Sequence, residues 1–206
     1  MKQALRPAFV ATLPVMTGYL VLGFGFGLLV DSQGGNVLLA LAMSGFIYAG
    51  SMQYVAVDLL TGGASLISAA QMTLMVNARH LFYGLSMLGK YRDTGAARPY
   101  LIFSLTDETY SLVCQDTLPV PQEHRRAYWL LVSVFDHLWW VLGTLLGAVA
   151  GMVLTIDTAG VDFALTALFV TVVVEQWLPS AGRWPSAPVF PVRSSPRWAK
   201  AASTSA

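Results

Sequence analysis

Residues 8–30 contain no charged side chain, a run of 23 positions. That is the length an α-helix needs to cross a hydrocarbon core of about 30 Å. Similar runs follow at residues 37–57, 59–78 and 138–156, and the helix that carries the last is expected to begin near Ala127. A shorter apolar stretch at residues 163–174 reaches span length by continuing to Leu178. Residues 99–115 are apolar except for Asp107 and Glu108 near the middle. A segment surrounded by lipid must satisfy its backbone internally, so repeated runs of this length demand helices. The first run is too long for the hydrophobic region of a signal peptide, and no small-residue cleavage pattern follows it. It reads as a retained first helix.

Composition closes off the other classes. Charged residues make up 11% of the 206 positions, against about 25% in ordinary soluble domains, while 55% are hydrophobic and the mean hydropathy is +0.59. Twelve basic and eleven acidic side chains cannot cover a soluble surface of this size, and disorder requires the opposite balance. A net charge of +1 gives no reason to expect nucleic acid as a partner. The single cysteine, Cys114, rules out an internal disulfide and a multi-thiolate metal site, and three scattered histidines do not form a zinc cluster. Nothing in the sequence calls for a metal or cofactor. The fold class is all-α: a polytopic integral membrane protein with about six hydrophobic segments.

Basic residues beside the spans set the expected orientation. Lys2 and Arg6 put the N-terminus in the cytoplasm, and Arg125 and Arg126 do the same for the 116–126 loop. The 31–36 loop lacks basic residues and suits the outside, as does the acidic 152–162 segment. Six crossings with both ends inside satisfy these points and are the preferred arrangement, although they place Lys90, Arg92 and Arg98 outside. The alternative keeps the 90–98 loop inside by folding residues 99–115 into a re-entrant pair of half-helices. Domain organisation follows composition: a transmembrane domain over 1–178, then a tail over 179–206. The tail holds five of the ten prolines and no acid, with no run long enough to span.

Three segments carry residues that a lipid-facing helix would not select. In residues 44–53, Gly45, Ala49 and Gln53 share one helix face. That pattern fits close helix packing with Gln53 bonded across the interface. It also fits an unwound stretch whose free carbonyls, with Tyr48 or Gln53, meet a polar solute. Next come Asn77, Arg79 and His80, followed by Tyr83. Arg79 either snorkels from the end of the third span or pairs with a substrate carboxylate, Asp107 or Glu108; His80 is a candidate proton carrier.

The third segment runs from Thr106 through Asp107 and Glu108 to Tyr110. Two ionised carboxylates at mid-membrane cost roughly 5–7 kcal/mol on the insertion scale. Thr106 followed by two acids is also a helix-start signature, so the segment could begin a half-helix. Its functional reading is ion or proton coupling by Asp107 or Glu108, with Tyr110 a weaker candidate. Glu175 is another, ending a span or occupying a cavity. Gly23 and Gly27, and Gly143, Gly147 and Gly151, repeat small residues every fourth position and suit helix packing. Asp136 and His137, just before Trp139 and Trp140, read as markers of the membrane interface.

Together these motifs resemble the AzlC family of branched-chain amino-acid exporters: residues 45–53, 77–86 and 105–110, with 162–169 through 174–176 extending the match. The likeness covers roughly residues 5–178. It implies the large subunit of a two-component permease that works with a small multispanning, AzlD-like membrane subunit in the cell membrane. Small apolar amino acids would be its exported substrates. The resemblance ends after Trp177, where family members continue with apolar sequence and this chain turns to Pro, Ser and Arg. A truncated or frameshifted C-terminus is the expectation there. Two other classes compete with the exporter. One is a structural or channel-like subunit without coupled transport. The other is an intramembrane hydrolase using Ser104 or Ser51 with His80 or His137, although no Gly-x-Ser-x-Gly motif occurs.

Overall fold

A computed structural model of the chain describes residues 2–153, all helices and connections. The 163–174 segment, Glu175 and the 179–206 tail lie outside the described residues.

Two long apolar helices organise the rest: α1 (Lys2–Ser32) and α7 (Arg125–Val153), each long and apolar enough to cross a membrane. They run parallel, since contacts advance together along both. Phe9 packs on Phe135, Tyr19 on Trp140, and Gly151 lies against Asp31. Their small residues do what the fourfold spacing suggests. A Cβ on Gly23 would sit 2.8 Å from the Trp140 carbonyl, and one on Gly143 would sit 2.7 Å from that of Tyr19. No side chain fits between those backbones, so close packing replaces the hydrophobic drive that lipid does not supply.

The charge-free run at 37–57 is not one helix. It breaks into α2 (Val37–Phe46) and α3 (Ser51–Thr61). Asn36 caps α2, its side chain accepting from the Leu39 amide at 2.8 Å. The break turns through Tyr48 at φ 42° and Gly50 at φ 31°. A bulky residue in the left-handed region costs energy, and surrounding contacts must hold it there. The chain then doubles back. Ser44 on α2 bonds Thr144 of α7, while Tyr54 on α3 donates to the Leu22 carbonyl and packs on Phe26. α2 and α3 therefore form a hairpin entering from the end where α1 and α7 finish, with Tyr48 at its tip.

The run at 59–78 is also displaced: α4 occupies Leu66–Met87, begun by Ser65, whose hydroxyl accepts from the Ser68 amide. Absence of charge did not set its limits; Gly62 and Gly63 and the Ser65 cap did. α4 brings Met87, and Tyr91 just beyond it, to the end where α1 and α7 begin, in one core with Ala4, Ala8, Tyr128 and Trp129.

Residues 99–115 are not one continuous helix. They form α5 (Arg98–Phe103) and α6 (Asp107–Val113), divided at residues 104–106. Lys90 before them reaches the Cys114 carbonyl and lies 3.2 Å from Asp116 after them, and Arg125 donates to the Asp116 carbonyl at 2.6 Å. His124 meets Gln3 at the same end. Lys90 thus lies at the same end of the described helices as Arg125 and Gln3. A continuous crossing by residues 99–115 would separate Lys90 from Asp116 by about 25 Å at 1.5 Å per residue. The described residues therefore show the two short helices that the half-helix alternative expects.

Candidate functional site

The two hairpins enter from opposite ends and their tips meet beside α1 and α7. Tyr48 lies with its ring centroid 6.2 Å from Phe103, 4.3 Å from His137 and 6.5 Å from Tyr19. Its surroundings account for the strained backbone: three aromatic neighbours hold a side chain that is only 3% exposed.

Arg79, at mid-length of α4, joins the second helices of both hairpins. It pairs with Asp107, the first residue of α6, and donates to the Ser51 hydroxyl, at the start of α3, at 3.3 Å. Of the partners the sequence offered Arg79, Asp107 is the one it meets. Arg79 and Asp107 side chains each keep 35% of their surface, so the pair is only partly enclosed by the described residues. A bidentate cation beside a carboxylate is complementary to a zwitterion, with one group for each end. Asn77 Oδ1 and Arg79 Nε, both buried, have no partner among the described residues.

Thr106 caps α6 as the sequence suggests, its hydroxyl accepting from the Thr109 amide at 3.3 Å. The adjacent acids diverge as helix geometry requires. Asp107 meets Arg79, whereas Glu108 accepts from the Tyr19 hydroxyl at 2.8 Å. Gln53, fully buried, commits its amide to the hairpin itself: it donates to Ser44 Oγ at 3.1 Å and accepts from the Ala49 amide at 3.2 Å. Tyr110 stacks on Tyr83 at 4.6 Å and His80 meets Tyr83 edge-on, on the α4 side of α6.

Asp136 and His137 are the residues that sequence reasoning misplaced. Both face other helices: Asp136 faces α6 and His137 faces α2 and α5. Asp136 is fully buried and accepts from Thr109 Oγ1 at 2.7 Å, while its other oxygen has no partner among the described residues. His137 lies 3.1 Å from the Ser44 carbonyl through Nε2 and 3.1 Å from Tyr100 Oη through Nδ1. A carbonyl only accepts, so Nε2 carries hydrogen, and a neutral ring accepts from Tyr100 at Nδ1. The missed signal was position: the two residues are the twelfth and thirteenth of a 29-residue helix, well inside it rather than at its start. The serine–histidine pairs weighed for a hydrolase do not form among the described residues. Ser104 donates to the Tyr100 carbonyl, and Ser51 accepts from Arg79.

Two apolar helices long enough to span, in a chain whose described elements are all helical, define an all-α integral membrane protein. The AzlC protein family matches residues 14–154, and the chain belongs to that family. It is 42% identical over 176 residues to the "Branched-chain amino acid transport protein AzlC" of Bacillus subtilis, covering 85% of this chain and 68% of that protein. An "Uncharacterized membrane protein" of Helicobacter pylori is 39% identical over 177 residues, 85% of this chain and 76% of its own length. The "Inner membrane protein YgaZ" of Escherichia coli is 31% identical over 170 residues, 78% and 68% of the two chains. No solved structure matches the chain.

Proposed function

We propose that this chain is the large subunit of a two-component permease that exports branched-chain or similar small apolar amino acids. The observation that carries the reading is the Arg79–Asp107 pair where the two hairpins meet, in a chain 42% identical to a branched-chain amino-acid transport protein. An amino acid needs one site for its carboxylate and another for its ammonium. Arg79, with the start of α3 beside it, takes the carboxylate. Asp107 or Glu108 takes the ammonium or a coupling proton. Tyr48 borders the space for the aliphatic side chain, with Asn77 and His80 alongside, and Gln53 and Tyr110 hold the hairpin and α6 in position. Glu175 stays a weaker candidate.

In this reading the N-terminus is cytoplasmic, with Lys2, Arg6, Lys90 and Arg125 all on that side. A small multispanning subunit completes the permease. Efflux of valine, leucine and isoleucine from loaded cells tests the function. Efflux should rise with the chain and its small partner co-expressed and fall to background when Asp107→Asn and Glu108→Gln are combined, with the protein still in the membrane. Unchanged efflux in the double variant would remove the coupling role, and equal efflux without the partner would remove the two-component reading.

A further inference from the structure

Glu108 and Asp136 stand at the two ends of a continuous line of hydroxyls. Tyr19 Oη lies 2.8 Å from Glu108 Oε2 and 2.7 Å from Thr106 Oγ1. Thr106 Oγ1 lies 3.2 Å from Thr109 Oγ1, which lies 2.7 Å from Asp136 Oδ2. The line starts at an exposed carboxylate and ends at a fully buried one. Neither acid has an ion-pair partner among the described residues, where the pairs are Arg79–Asp107, Lys90–Asp116 and His124–Glu123.

Counting hydrogens decides what such a line can do. Four links join five groups, and each link needs one hydrogen. The hydroxyls of Tyr19, Thr106 and Thr109 supply one each. With both carboxylates ionised one link lacks a hydrogen, leaving two oxygens in contact with nothing between them. One added proton completes every link, and it can do so from either end. With Asp136 protonated, Asp136 donates to Thr109, Thr109 to Thr106, Thr106 to Tyr19 and Tyr19 to Glu108. With Glu108 protonated, every donor reverses.

We infer that Glu108, Tyr19, Thr106, Thr109 and Asp136 form a proton relay in which two carboxylates share one proton, with Asp136 the inner station. A proton from water binds Glu108; each hydroxyl then breaks its own O–H bond as it receives a new one, and Asp136 gains the proton that Glu108 gives up. Atoms and charge balance, and no other reactant is needed. A single negative charge moves from the buried end to the exposed end, which relieves the cost of an unpaired buried carboxylate. Other titratable groups face the stations. Tyr48, Tyr100 and Tyr128 surround Asp136; His80 and Tyr83 lie towards Glu108, where Asp107 is held by Arg79. His137, next to Asp136, is turned to Ser44 and Tyr100. None of these makes a link of the relay.

The inference rests on the amino-acid transport reading for its use but not for its existence, and two measurements separate the two. In membrane vesicles holding the full chain with its small partner, valine exchange at equal pH is compared with valine accumulation driven by an imposed pH gradient. Tyr19→Phe and Thr109→Val should lose about tenfold or more of the driven accumulation, as expected when a proton-transfer group is removed. They should keep exchange, and Thr109→Ser should keep both. Full driven accumulation in Thr109→Val overturns the relay, as does failure of Thr109→Ser alongside it, which would mark a packing role. Wild-type exchange that ignores the gradient overturns the relay and leaves transport standing, whereas absence of wild-type exchange overturns the transport reading. The shared proton is then judged on the purified chain by infrared spectroscopy. A carboxylic-acid carbonyl band should be present at neutral pH and lost when Glu108→Gln and Asp136→Asn are combined. Absence of that band in the wild-type chain overturns the relay whatever the vesicles show.

Discussion

Gly147 shows what single residues decide here. Its α-carbon faces the Phe24 backbone so closely that an added Cβ would overlap it, and Gly27 meets Thr144 and Ala148 in the same way. Lipid offers no hydrophobic penalty for separating two apolar helices, so contact at this distance carries the pairing. Gly147→Leu should therefore cost about 1–3 kcal/mol through forced separation, read as a lower unfolding midpoint in detergent, whereas Gly84→Leu, on an open part of α4, should leave it unchanged. Equal midpoints for both would show that the small-residue face does not pack. This contact was legible in the sequence, because spacing of four names a face. Asp136 was not. Its role depends on Thr109, 27 positions away, and no local pattern reports which residue a half-helix will bring opposite.

Among elements, the interrupted helices were only half visible. Thr106 ahead of two acids marks a helix start by its own chemistry, and α6 begins there. The break at residues 47–50 has no comparable sign, since the glycines around it serve packing as readily as unwinding. Tyr48 holds its conformation through aromatic neighbours from α1, α5 and α7, which are distant in sequence. Charge-free runs likewise located helices without setting their limits; caps did that. Removing the Asn36 cap by Asn36→Ala should cost about 1 kcal/mol of stability, with Asn36→Ser recovering most of it. A loss confined to the unfolding midpoint, with the protein still reaching the membrane, is the expected pattern; no loss would mean that α2 is held by packing alone.

For the whole molecule, the described helices place one hairpin at each end of a parallel α1–α7 pair, and the order of ends is open to direct test. Lys90 and Glu123 should lie on one side and Gln33 on the other, since Lys90 bonds to Asp116 and Gln33 follows the far end of α1. With Cys114→Ser removing the native thiol, cysteines at 90 and 123 should react with an impermeant reagent from the same side of the membrane, and a cysteine at 33 from the opposite side. Labelling of 90 together with 33 would favour six crossings instead.

The Arg79–Asp107 pair sits where the two hairpins meet, with Arg79 also bonded to Ser51, and is the proposed site for the zwitterion. A charge-assisted contact of this kind is worth about 1.5–3 kcal/mol, and each 1.4 kcal/mol is tenfold in affinity. Valine exchange by the full chain with the proposed small subunit co-expressed, wild type against Arg79→Gln at matched membrane levels, tests this most directly. The arrangement predicts a loss of about tenfold or more; exchange at the wild-type rate would contradict it.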